Sequence, residues 1–200
     1  MLQSFSKGGS MEKELQTKLL ILSHESIREE LDGNKSEMYQ VLQGEYRSVY
    51  TERTGLFVTL HSLGDNSSLS LRGCIGTIEG VYPLIEGVYK LAKESAFDDP
   101  RFLPLTIQEY PHIHVQISIL SALIEIESSD DIILGTHGVV YQYRNHRALF
   151  LPEVAREQHW TIHKLLSQLC LKASLPSNHY VHGDGKLFTF TSLSFEDNYE

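Results

Sequence analysis

An arginine and a cysteine two residues apart, set in the glycine-containing run Leu71-Arg72-Gly73-Cys74-Ile75-Gly76, make up the stretch of this sequence best suited to chemistry. In an extended strand, Leu69, Leu71, Gly73 and Ile75 face one way, and Ser70, Arg72, Cys74 and Gly76 the other. Strict alternation therefore puts guanidinium and thiol on one face, about 7 Å apart along the strand. A guanidinium beside a cysteine favours thiolate, the nucleophilic form, over thiol. Gly73 and Gly76 weaken a plain strand and mark a bulge, or a close approach by a ligand or another backbone. The competing reading is a tightly packed strand with an inert cysteine, because free cysteine is commonly buried.

Other residues extend or oppose this picture. Asp99 and Arg101 flank Pro100 at an expected helix end. As an ion pair they shape a turn; as functional groups, Arg101 joins Arg72 in a small cationic cleft for a carboxylate or phosphate. His137 sits between Gly135 and Gly138 in an expected loop and has the chemistry of a base for Cys74. Nothing in the sequence brings those two together. Ten histidines raise the question of a metal. His112 and His114 would share a strand face, which suits chance binding. His159 and His163 are four apart, but Thr161 as an N-cap would leave His159 outside the helix. No CxxC, HExxH or carboxylate–histidine set completes either pair, so no native metal centre is expected. The span Gly73 to Gly80 lacks GxGxxG and Walker spacing, and no cofactor is expected.

The elements that must hold these residues follow from periodicity. Apolar residues at helical spacing predict a helix from Glu12 to about Leu31, closed by Asp32-Gly33-Asn34. Residues 33–55 give no assignment. Leu56 to His61 and Leu69 to Ile78 read as a hairpin. Pro83 opens a helix to about Phe97 with Leu84, Val88, Leu91, Ala92 and Ser95 inward. One helical turn is expected in 104–111, then strands at 112–120 and 123–127. Val139 to Arg144 and Arg147 to Leu151 pair across an expected Asn145-His146 turn. Thr161 caps a helix with Ile162, Leu165, Leu166, Leu169, Cys170 and Ala173 on one face. Leu187 to Leu193 is a single closing strand. Hairpins and helices without βαβ repetition predict an α+β fold.

Composition narrows the function classes. The 200 residues carry 17 Lys and Arg against 26 Asp and Glu, a formal charge of −9. That balance opposes broad phosphate-backbone binding, so nucleic acid is not an expected partner. The tyrosines Tyr39, Tyr46, Tyr50, Tyr141 and Tyr143 lack basic clusters beside them and are read as packing. No signal-peptide or membrane-span pattern is present, and two cysteines are too few for a disulfide scaffold; a cytoplasmic protein is expected.

The ordered motifs Leu71 to Thr77 (LRGCIGT), Ser95 to Phe102 (SAFDDPRF), Ile117 to Leu120, Gly135 to Gly138 and Phe150 to Ala155, then Lys172-Ala173 and Phe188 to Phe195, resemble the AMMECR-type domain family. The likeness covers residues 12–196 and leaves 1–11 as a flexible leader. It is closest to the prokaryotic branch encoded near Memo-like and radical-SAM proteins. The resemblance implies an α+β domain with a larger and a smaller part and a cleft beside LRGCIG. It also implies a protein partner of Memo-like or radical-SAM type. Two departures stand out: Ser174 and His159 occupy positions where the family usually has glycine. The leading expectation is a binding or accessory domain. Its cleft takes a small anion or a partner peptide, with Arg72, Gly73, Cys74, Gly76, Asp99, Arg101 and His137 as binding candidates. The alternative is a Cys74-dependent enzyme or modification-system component; a nucleic-acid-related factor ranks third.

Overall fold

The computed structural model describes residues 11, 13–46, 51, 53–64, 68–182 and 184–197. The leader assigned to 1–11 lies outside these, apart from the buried Met11. The fold is α+β, and the chain separates into a larger unit, 1–119 with 194–200, and a smaller one, 120–193.

In the larger unit, helices α1 (Lys13–Asp32), α2 (Met38–Tyr46) and α3 (Leu84–Phe97) accompany strands β1 (Leu56–Leu63), β2 (Leu69–Thr77) and β3 (Ile113–Leu120). Strand β8 (Ser192–Glu196) completes a sheet of order β2-β1-β3-β8. The core follows the two periods. Leu56, Val58 and Leu60 of β1 face Ile119, Ile117 and Val115 of β3, all buried. Leu15, Leu19, Leu22 and Ile27 of α1, with Leu84, Val88, Leu91 and Ala92 of α3, supply the helical stripes. Glu29 ties α1 to α3, accepting from Lys93 Nζ at 2.9 Å and from the Tyr89 hydroxyl.

In the smaller unit, β4 (Ile124–Ile126), β5 (Gly138–Tyr143), β6 (His146–Phe150) and β7 (Lys186–Phe190) form a second sheet of order β4-β7-β5-β6. Helix α5 (Ile162–Lys172) buries Leu165, Leu166, Leu169 and Cys170 against β5 and β6 as its pattern predicts. Thr161 caps it, accepting from Lys164 N–H at 3.3 Å. The short helices α4 (Pro152–Glu157) and α6 (His179–His182), like α2, carry no expectation from the sequence.

Three expectations change. The closing strand breaks at Thr191, and its halves β7 and β8 belong to different sheets. The β5–β6 turn is Arg144-Asn145, because Tyr143 pairs with His146 and Arg144 takes a positive φ of 52°. His112 sits in the 3-10 turn Tyr110–His112, so it shares no strand face with His114.

The two departures from glycine have a physical meaning here. His159 (φ 52°) and Ser174 (φ 59°) both adopt the left-handed conformation that ends a helix. Trp160 N–H bonds to Ala155 O at 2.9 Å and His159 N–H to Arg156 O at 3.1 Å, the paired bonds of a Schellman motif. Leu175 to Cys170 and Ser174 to Leu171 repeat the pattern after α5, each at 2.9 Å. Both side chains are exposed, so the strain is uncompensated by packing. His159→Gly and Ser174→Gly should each stabilise the chain by about 0.5–1 kcal/mol in urea denaturation. A loss of stability in both would contradict the strain argument.

Candidate functional site

The site is built on β2, the outer strand of the first sheet. Pairing with β1 runs in register from Leu56↔Thr77 to Leu60↔Gly73, then shifts so that His61 faces Leu71. Arg72 is the extra residue of a β-bulge, which breaks the alternation expected of LRGCIG. Leu71 and Gly73 consequently fall on opposite faces, and Arg72 leaves the simple pairing with Cys74 on one strand face.

Gly73 is required by a backbone. A β-carbon there would lie 2.0 Å from the Ser95 carbonyl oxygen of α3, and one at Gly76 would lie 2.3 Å from the Phe57 ring. Of the two approaches expected at these glycines, the structure shows the chain's own. Ser95 also seats the helix on the hairpin, its Oγ accepting from Ile75 N–H at 2.9 Å and donating to Val58 O at 2.8 Å.

The outer edge of β2 is closed by side chains. Asp99 Oδ2 accepts from Cys74 N–H at 2.8 Å, and Arg101 Nη2 donates to Cys74 O at 3.2 Å. Together they occupy both backbone groups of Cys74 that a neighbouring strand would take, a form of edge protection. Asp99 is buried and also accepts from Arg101 N–H, Nε and Nη2 at 3.1, 2.9 and 2.6 Å. The Arg101 guanidinium holds the Asp99 carboxyl far below the usual carboxylate range, against the opposing effect of burial, and Cys74 N–H adds to the lowering.

Arg72 is anchored in the same loop. Its Nε and Nη2 reach Glu109 Oε1 and Oε2 at 2.9 and 3.2 Å, a bidentate fork, and Nη2 also donates to Leu103 O at 3.0 Å. Arg72, opposed by burial and aided by Thr106, brings Glu109 down to about 2. Phe102 lies between the guanidiniums, its ring centroid 5.8 Å from Arg72 and 5.5 Å from Arg101, within cation–π reach. Residues 99–109 thus form a strap fixed to β2 by the Arg72–Glu109 pair and by the bonds of Asp99 and Arg101 to the Cys74 backbone. No local pattern points to Glu109, which lies far along the chain from Arg72.

The Cys74 thiol is half-buried, and Thr59 of β1, directly across the ladder, donates its hydroxyl to Sγ at 3.3 Å. Thr59 could have been found from strand alternation once the hairpin register was known. Cys170 is fully buried in the core of the smaller unit. His137 belongs to that smaller unit, where Nδ1 accepts from Ile133 N–H at 3.2 Å. That bond selects the tautomer with its proton on Nε2, which makes Nε2 a donor and opposes the expected role as a base for Cys74. Among the described residues no group of three or more His, Cys, Asp or Glu is arranged to hold a metal ion.

Comparison with known proteins bears on this arrangement. The AMMECR1 family model matches residues 20–195, a span that contains every residue of the β2 edge and its strap. The chain belongs to the AMMECR1 family. Protein MJ0810 of Methanocaldococcus jannaschii is similar to it, 38% identical over 158 residues that make up 76% of this chain and 77% of that protein. Protein PH0010 of Pyrococcus horikoshii is 35% identical over 153 residues, 74% of each. The crystal structure of the uncharacterized protein PH0010 superposes with a TM-score of 0.78 at 32% identity, covering 90% of both chains. The AMMECR1 fold is therefore shared across most of the chain, and the LRGCIGT and SAFDDPRF motifs are the segments its β2 edge joins. No described helix is long and apolar enough to cross a membrane.

Proposed function

We propose that this AMMECR1-family chain is a binding or accessory domain that holds a partner polypeptide at the surface built by LRGCIG and the 99–109 strap. The observation that carries this reading is the charge state of the strap. Each guanidinium is answered by a carboxylate of the same chain, Arg72 by Glu109 and Arg101 by Asp99, which leaves little net positive charge for a small anion. Apolar side chains stand in solvent beside these pairs: Leu69, Leu71 and Ile107 are exposed, and Leu103 is 83% exposed on a backbone pinned by Arg72. Rigid, exposed apolar side chains beside neutralised charges suit a protein surface better than a free phosphate or carboxylate. The resemblance described above points to a Memo-like or radical-SAM protein as that partner. The enzyme alternative is less well supported, because the side chains that interact with the Cys74 thiol, the Thr59 hydroxyl and the Arg101 guanidinium, are both donors and supply no base.

Calorimetric titration of the chain with a Memo-like protein and with a radical-SAM protein tests the reading. Leu103→Asp should weaken binding at least about tenfold while leaving the melting temperature unchanged, since its side chain is solvent-exposed. Unaltered affinity in both Leu103→Asp and Leu71→Asp would rule this surface out.

A further inference from the structure

Register on the first sheet creates a pair of imidazoles that the sequence separates by more than fifty residues. His61 of β1 lies directly opposite His114 of β3. These are the two central strands of the sheet, flanked by β2 and β8, so the spacing of the pair is fixed from both sides. Directly opposed residues place their β-carbons about 4.5–5.5 Å apart on one face, within range for two imidazoles to meet one ion. Both residues are half-buried. The next row along the same face holds Gln116 opposite Thr59, and Thr59 faces Cys74.

We propose that His61 and His114 form a two-imidazole chelate for a late first-row divalent metal, Ni²⁺, Cu²⁺ or Zn²⁺. Nitrogen donors select these ions over Mg²⁺ and Ca²⁺, which take oxygen. With two protein donors, the remaining coordination positions are filled by water or by oxygen and nitrogen atoms of a ligand. His112, two residues from His114 in sequence, is exposed in the 3-10 turn and takes no part. This inference is independent of the partner-binding reading, which rests on the strap.

The full chain, stripped with a chelator, is titrated with NiCl₂ by calorimetry. Saturable binding is expected, and His61→Ala and His114→Ala should each weaken it at least about tenfold, as loss of a direct donor requires. His112→Ala should leave it unchanged. Binding that never saturates, persists in His61→Ala, or falls equally in His112→Ala overturns the proposal. Should an alanine variant lose its fold, Cu²⁺ added to the wild-type chain decides the matter by paramagnetic broadening of histidine ring signals. Those of His61 and His114 must vanish first; earlier loss at any other histidine rejects the site.

Discussion

Gly73→Ala should cost the larger unit at least about 3 kcal/mol, at the upper end for overpacking a rigid site. The added β-carbon would stand 2.0 Å from the Ser95 carbonyl oxygen and 3.0 Å from its carbon, both backbone atoms of α3. Neither can turn away as a side chain would. Ser95 is itself held, since its hydroxyl joins Ile75 N–H to Val58 O. Relief would require β2 to lift from α3, opening the β1–β2 ladder where Cys74 and the strap are attached. Against a typical total stability of about 5–15 kcal/mol, that is a large fraction. Gly44 supplies the opposite case, lying in α2 with nothing within 4 Å of an added β-carbon. Gly44→Ala should stabilise by about 0.5–1 kcal/mol through helix propensity and a less flexible unfolded chain. Urea denaturation followed by circular dichroism measures both. A Gly73→Ala variant within about 1 kcal/mol of wild type would mean that β2 does not rest on Ser95.

That seating shows where the sequence was readable and where it was not. Long-period signals survived folding: the stripes of α1, α3 and α5, the β1–β2 and β5–β6 hairpins and the Thr161 cap all lie where spacing puts them. Short elements did not announce themselves, because the four residues of α6 or the six of α4 span too few turns for a period to emerge. The site was legible in identity and illegible in connection. Arg72, Cys74, Asp99 and Arg101 all belong to one β2 edge, yet the bulge at Arg72 is a property of two strands together and leaves no mark in either alone. Glu109 was missed for the same reason: its partner is chosen by the path of the strap, not by local spacing. The bond that His137 Nδ1 accepts from the Ile133 backbone N–H is likewise set by the path of its loop, and no local pattern marks it.

Asp99→Asn isolates the charge that closes this edge, and its effect should depend on pH in a defined direction. The Asp99 side chain is 2% exposed, and its carboxylate accepts three bonds from Arg101 and one from Cys74 N–H. Asparagine preserves the shape but not the charge. Arg101 keeps 52% of its side chain in water, so the unpaired guanidinium can rehydrate and the loss at pH 7 should be about 2–3 kcal/mol. In the folded chain Arg101 first, then Cys74 N–H, lowers the Asp99 carboxyl below its unfolded value of about 3.9. A depressed carboxylate contributes its stability fully above the unfolded value and loses it as pH falls towards the folded one. Wild type should therefore weaken below about pH 4 on this account, whereas the asparagine has no proton to take up. Glu109, held at about 2 by Arg72, adds an acid limb common to both proteins that cancels in their difference. The gap between wild type and variant should be widest at neutral pH and narrow steadily in acid, read from urea midpoints across the range. A gap that stays constant down to about pH 2.5 would show that the carboxylate charge contributes nothing there, and that the edge of β2 is closed by shape alone.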